Sequence, residues 1–295
     1  MKLEKWLKLN TKSLNGKTIA ITGSSGDLCK EICLIFAKLN ANLILINRSL
    51  EKSEKQKQEI TKLYPNIKIE TLVCDLVNFK NVNQTTEILK QKDIDILYLG
   101  AAVYKTDMFK TSLGYNNIFT ANFLSHYYMV KELLPNLNKR KGKVVAISSI
   151  AYNYNKLNEN DIDFSHCKKH SDIYGNSKRF LMYSLYELLQ NETTALSIVH
   201  PGITLTNITN HYPKFINWLV KIGIKLIFPN RKKACLSLIA GLFNETEYSS
   251  WIGPKILNIW GNPKKQKLKK YNTNESKKIF NISEDIYNKI KNKNY

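Results

Sequence analysis

Tyr174 and Lys178 stand four residues apart in Tyr174-Gly-Asn-Ser177-Lys178. On a helix that spacing puts both side chains on one face, about one turn apart. A phenol with an ordinary pKa near 10 is a poor acid or base at neutral pH. A neighbouring ammonium stabilises the phenolate and lowers that value. Such a phenol can pass a proton to or from an oxygen on a carbon that gains or loses hydride. The pair recurs by chance, so it needs company, and Ser148-Ser149 supplies it upstream. A hydroxyl at a strand end can hold a substrate oxygen beside the tyrosine. Taken singly, Tyr174 can be a packed aromatic and the serines can simply end a strand.

The surrounding elements alternate. Short, continuous apolar runs at Lys17–Thr22, Asn42–Ile46, Lys68–Cys74, Ile94–Leu99, Lys143–Ser148 and Ala195–Val199 read as strands. Helical spacing is expected over residues 27–39, Val82–Lys90, Ile118–Leu134 (stopped by Pro135) and Tyr174–Leu189. Strands that are apolar on both faces must be covered by helices on both faces, so the sheet is parallel. The expected fold is therefore α/β, a single domain over residues 15–262 with a doubly wound parallel sheet. An N-terminal arm (1–14) precedes it, and a Lys-rich, helical extension (263–295) follows. The extension carries an apolar stripe of Ile279, Phe280, Ile282, Ile286 and Ile290.

The first strand runs into Thr22-Gly23-Ser24-Ser25-Gly26-Asp27-Leu28. A glycine turn between strand and helix lets backbone approach a pyrophosphate, and the helix N-terminus offers unpaired N–H groups with partial positive charge. Alone the turn is weak, because glycines also end ordinary strands; opening a βαβ unit gives it weight. The second strand ends in Asn47-Arg48. A site for NAD usually has Asp or Glu there to bond the ribose 2′-hydroxyl, whereas a 2′-phosphate needs a cation. Neutral Asn47 and cationic Arg48 predict NADP(H) over NAD(H), although Arg is also an ordinary surface residue. Asp75, at the end of the third strand, can accept from the adenine amino group, or can be a plain helix cap.

These residues together resemble the short-chain dehydrogenase/reductase family over about residues 15–290. The resemblance rests on Thr22-Gly23, Gly26, Arg48, Asp75-Leu76, Asn122, Ser149, Tyr174, Lys178, Pro201-Gly202 and Thr206. It implies a Rossmann-like fold and NAD(P)-dependent oxidoreduction. Tyr174 would be the acid/base, Ser149 would orient the carbonyl, and Lys178 would bind the nicotinamide ribose and tune Tyr174. Asn122 would hold a water of a proton relay. Gly100 and Ala101, after the fourth strand, join the cofactor set, and Pro201, Gly202, Ile203 and Thr206 would shape the nicotinamide pocket. The gap of 25 residues from Ser149 to Tyr174 (174 − 149) and the closing segment Ser276–Tyr287 resemble the retinol-dehydrogenase-like branch. Two departures stand out. The family's third glycine is Cys29, and its Asn-Asn-Ala-Gly is Leu99-Gly100-Ala101-Ala102. Both leave room for an alternative, a regulatory protein that binds NADP(H) without turnover. An epimerase or dehydratase would need a longer substrate domain. The family also implies a homo-oligomer.

Composition bounds the rest. Of 295 residues, 43 % are hydrophobic and 23 % charged, as in a globular chain. Five cysteines without a Cys-x-x-Cys pair argue against a disulfide scaffold or a zinc site. His126, His166, His170, His200 and His211 lack metal spacing, so no metal is expected. The +21 charge comes from lysines spread along the chain without an RNA-binding signature, so nucleic acid is not the expected partner. A charged N-terminus without an apolar core predicts a cytoplasmic protein. Residues 203–233 form the expected substrate lid. Trp218 and bulky aliphatics there, ringed by Lys214, Lys221, Lys225, Arg231, Lys232 and Lys233, read as a pocket cover, a dimer contact, or a cover for a lipophilic carbonyl or alcohol with peripheral membrane contact.

Overall fold

The computed structural model describes residues 3–153, 156–202 and 231–293. Eight strands form one sheet in the order β3-β2-β1-β4-β5-β6-β7-β8. They are β1 (Thr18–Thr22), β2 (Asn42–Asn47), β3 (Ile69–Val73), β4 (Ile96–Leu99), β5 (Lys143–Ile147), β6 (Ala195–Val199), β7 (Ser250–Ile256) and β8 (Trp260–Lys267). All neighbours pair in parallel except β7 and β8. The order reverses between β1 and β4, and ligands of such sheets bind in the crevice outside the carboxyl ends of the strands at that point.

Helices cover both faces. On one side lie α1 (Leu3–Asn10), α2 (Asp27–Lys38), α3 (Leu50–Leu63) and α7 (Arg231–Phe243). On the other lie α4 (Phe79–Lys90), α5 (117–139), α6 (His170–Leu189) and α8 (Thr273–Lys291). Each face has its own apolar cluster, as the two-sided patterning of the strands requires. Ser49 caps α3, and Asn272 caps α8 by accepting from the Glu275 N–H at 2.9 Å.

Three boundaries differ from the reading of the sequence. The N-terminal arm packs on the domain: α1 buries Trp6 and Leu7 in the same cluster as α2 and α7. Pro135 does not stop α5, which opens at Asn117–Phe119, widens to a π-turn at Thr120–Leu124 and continues over Ser125–Lys139. The Asn136 amide donates to the Lys90 carbonyl (2.5 Å), and this anchor holds the last turn despite the bond that proline removes. The expected edge at 262/263 falls inside β8. Its sequence, Trp260-Gly-Asn-Pro-Lys-Lys-Gln-Lys, has no apolar period because it is an exposed edge strand held by backbone pairing to β7. Only α8 is the expected terminal helix. Its Ile279, Ile286, Tyr287 and Ile290 cover α5 and α6, so the extension completes the core.

Candidate active site

A cleft of about 740 Å³ opens at the carboxyl ends of the central strands. Of the residues singled out above, Gly23, Ser25, Gly26, Asp27 and Leu28 line it, as do Arg48, Asp75, Leu76, Gly100 and Ala101. So do Ser149, Tyr174, Lys178, Pro201 and Gly202. Ile203, Thr206 and most of the expected lid lie outside the described residues.

At the turn after β1, Gly23 adopts φ +65°, and a Cβ there would lie 2.6 Å from the Ala101 Cα. Only glycine lets this turn pass so close to the β4 loop. Gly26 is the N-cap of α2 and supplies no side-chain cap, which leaves first-turn N–H groups facing the cleft. The Ser24 side chain turns inward. It is buried, donates to Gln56 Oε1 (2.9 Å) and accepts from the Asn47 amide (2.6 Å), so it braces the turn instead of lining the cleft. Asn47 also donates to Ser53 Oγ (2.9 Å) and accepts from the Ser25 N–H (2.9 Å). Its amide is thus tied inside the protein, while the next residue, Arg48, is exposed at the cleft. Asp75 accepts from the Val77 N–H (3.2 Å), and the cap of α4 is Asn78, so Asp75 is not the helix cap.

The two departures meet each other. Cys29 Sγ donates to the Gly100 carbonyl at 3.7 Å, and a Cβ on Gly100 would come within 2.6 Å of that sulfur. The space lost at position 29 is given back at position 100. Burial pushes the Cys29 thiol up to about 12, so it stays protonated and packs as a small apolar group.

The Thr22 hydroxyl takes up the strand-tying work. It accepts from the N–H groups of Gly100 (3.0 Å) and Ala101 (3.2 Å), and lies 2.9 Å from His126 Nε2. With both lone pairs used, its proton goes to Nε2. His126 therefore carries its own proton on Nδ1 and donates it to the Asn122 carbonyl (3.2 Å). Burial, then the charge of Lys178, hold His126 down to about 3, so it is neutral. His126 read in the sequence as an undistinguished histidine; no spacing signals a partner 104 residues away.

The Asn122 side chain also turns inward. It is fully buried in the π-turn, where its amide bonds the Val103 N–H and carbonyl (2.8 Å each) and donates to Ser177 Oγ (3.2 Å). It does not line the cleft. Its side chain clamps the loop after β4 to α6.

On α6, Lys178 is buried and donates to the Ile147 carbonyl (2.8 Å), with its ammonium 5.8 Å from the Tyr174 ring centre. Burial holds its pKa down to about 8. Tyr174 is half-buried and meets Tyr104 edge-on at 5.1 Å. Tyr104 also lines the cleft; the sequence reading missed it, though it follows β4 by only five residues, on the loop side where ligands sit. Ser149 accepts from the Ala151 N–H (3.3 Å) at the start of a short turn, Ile150–Asn153. Gly175 seats that turn, since a Cβ on it would lie 2.5 Å from the Ala151 carbonyl oxygen. Gly175→Ala must push the Ser149 segment away from Tyr174. It is expected to lower kcat at least about tenfold, with the affinity for nucleotide nearly unchanged in a fluorescence titration.

The fold is a doubly wound, Rossmann-like sheet with its cleft at the switch point. A family model described as short chain dehydrogenase matches residues 17–216. An uncharacterized oxidoreductase of Schizosaccharomyces pombe is 31 % identical over 227 residues, which covers 72 % of this chain and 67 % of the relative. Retinol dehydrogenase 13 of Mus musculus is 28 % identical (68 % and 62 % covered), and polyprenol dehydrogenase of Homo sapiens 26 % (70 % and 65 %). The chain spans about two thirds of the length of these relatives. Among solved structures, an uncharacterized protein from Mycobacterium paratuberculosis superimposes with a TM-score of 0.74 at 18 % identity, covering 95 % and 96 % of the two chains. A short-chain dehydrogenase from Sphingobium yanoikuyae in complex with NADPH gives 0.58 at 20 % identity, covering 77 % and 84 %. The chain belongs to the short-chain dehydrogenase/reductase family, and within it resembles the retinol dehydrogenases.

Proposed function

We propose that this protein is an NADP(H)-dependent oxidoreductase that moves hydride between nicotinamide and a carbonyl or alcohol carbon. The observation that carries the reading is that Ser149, Tyr174, Lys178 and Arg48 all line one cleft at the switch point of the sheet. The cleft suits a dinucleotide: the Gly23 turn has no room for a side chain, and the α2 N-terminus is uncapped. The turn and the first N–H groups of α2 would hold the pyrophosphate. Asp75 and Leu76 would flank the adenine, and Lys178 the nicotinamide ribose, with Pro201, Gly202, Ile203 and Thr206 near the nicotinamide. Bound NADPH supplies a hydride to the substrate carbon.

The chain's own residues handle the oxygen. Ser149 donates a hydrogen bond to the carbonyl oxygen and fixes it beside Tyr174. The Tyr174 hydroxyl gives that oxygen its proton as the carbon is reduced, and takes it back in alcohol oxidation. The ammonium of Lys178 stabilises the phenolate left behind. A lipophilic substrate is supported by the apolar residues of 203–233 and by the alcohols named in the two dehydrogenase relatives. The alternative of a non-catalytic NADP(H) sensor loses its main ground, because Cys29 and Gly100 fit one another.

Arg48 tests the cofactor assignment. No carboxylate ends β2, and the Asn47 amide is tied inward, so the 2′-phosphate would rest on Arg48. Arg48→Ala is expected to weaken NADPH about 10–100-fold, the worth of a charge-assisted hydrogen bond, and NADH about twofold or less. Equal losses for both nucleotides would contradict this placement.

A further inference from the structure

We propose that the tip of the β7–β8 hairpin docks on an anionic lipid surface, with Leu257 entering the bilayer boundary and the adjoining lysines on the headgroups. The proposal is independent of the chemistry at Tyr174.

The tip is a tight turn closed by the Ile259 N–H to the Ile256 carbonyl (2.9 Å). Its two central residues, Leu257 and Asn258, both have positive φ, +51° and +56°. Asn258 has reasons to be there. Asn tolerates this conformation, its side chain accepts from Gln266 (3.1 Å), and its carbonyl lies 3.1 Å from His200 Nε2. Leu257 has none. A branched aliphatic is disfavoured at positive φ, where Gly, Asn or Asp would serve the turn better. Nor does it pack, since it is 73 % exposed, the most exposed large apolar side chain among the described residues, with Ile256 at 54 % beside it. Neither turn chemistry nor core packing accounts for an aliphatic pair here, which points to contact outside the molecule.

Charge says what kind of contact. From residue 248 to 274 the sequence has six lysines (255, 264, 265, 267, 269 and 270) and no acidic residue. All six are exposed, and only Lys265 forms a described ion pair, with Glu247. Lysines on an edge strand also deter strand pairing, which accounts for those on β8 but not for the aliphatic tip. An apolar tip flanked by unneutralised cations matches an anionic bilayer surface. Among the described residues no helix is long and apolar enough to cross a membrane. The hairpin also borders the cleft: a Cβ on Gly202, which lines it, would lie 3.1 Å from the Ile259 carbonyl oxygen. Docking by this tip brings that rim to the lipid surface.

Leu257→Gly separates the roles, because glycine suits the turn and removes the apolar tip. In co-sedimentation with phosphatidylcholine vesicles, the parent chain is expected to bind when phosphatidylserine is included, not without it, and less as salt rises. Leu257→Gly should lower that partitioning about tenfold or more, with Tm equal or higher, while Leu257→Trp retains it. The paired reversal Lys264→Glu with Lys267→Glu should lower it as well. Undiminished vesicle binding by Leu257→Gly, or no binding of the parent at low salt, would overturn the proposal. So would an oligonucleotide bound in preference to vesicles and equally by both forms.

Discussion

Tyr174→Phe is expected to lower carbonyl reduction by about 10²–10⁴-fold, the contribution of a positioned acid/base. The fold should be untouched, because the ring half-buried against Tyr104 is kept and only the hydroxyl is lost. NADPH affinity, read by quenching or energy transfer, should stay within about threefold, as expected when the lost interaction forms only in the transition state. A variant that kept the parent kcat would remove Tyr174 from the chemistry. One that failed to bind nucleotide would make it a binding residue instead.

Lys178→Met carries the second large effect, and it has two opposite signs. Activity should fall by at least about 10²-fold, because the charge facing the phenol is gone. Stability of the nucleotide-free protein should rise. Lys178 is 1 % exposed, and its ammonium donates to a backbone carbonyl, that of Ile147, with no carboxylate paired to it among the described residues. Burial holds its pKa at about 8 against an ordinary 10.5. Below pH 8 the group is charged in folded and unfolded chains alike, and the folded state carries the full desolvation cost. Between 8 and 10.5 the folded protein releases a proton that the unfolded chain keeps, so stability rises with pH across that window. At about 1.4 kcal/mol per pH unit the gain is ~3 kcal/mol. Lys178→Met should already be more stable at pH 7, by ~2 kcal/mol once the Ile147 carbonyl is left unpaired, and should lose the rise between pH 8 and 10.5. Urea unfolding at pH 7 and pH 10 measures both. A parent protein with no such rise relative to Lys178→Met would mean that the lysine is better solvated than its burial implies.

These contrasts also show what a sequence can reveal. The parallel strands were legible because burial on both faces makes each a short unbroken apolar run, as in Thr18–Thr22 and Asn42–Asn47. Tyr174 and Lys178 were legible because helical geometry converts spacing into proximity. What escaped depended on contacts between distant segments. Ser24 and Asn122 have the right residue types at the right places, yet their side chains turn inward, to Gln56 and to Val103. His126 matters through Thr22 and the Asn122 carbonyl, which no local pattern reveals. Cys29 and Gly100 looked like two separate defects until they proved to be one contact. β8 escaped for a different reason, since an exposed edge strand needs no apolar alternation.

The most direct measurement of the central claim is isotopic. NADPH deuterated at the transferring position of nicotinamide C4 is incubated with the protein and a panel of lipophilic aldehydes and ketones, and the alcohols are analysed by mass spectrometry. The account predicts deuterium on the carbinol carbon with the parent protein and its near-complete loss with Tyr174→Phe. Tight NADPH binding with no deuterium in any product, or equal incorporation by Tyr174→Phe, would contradict it.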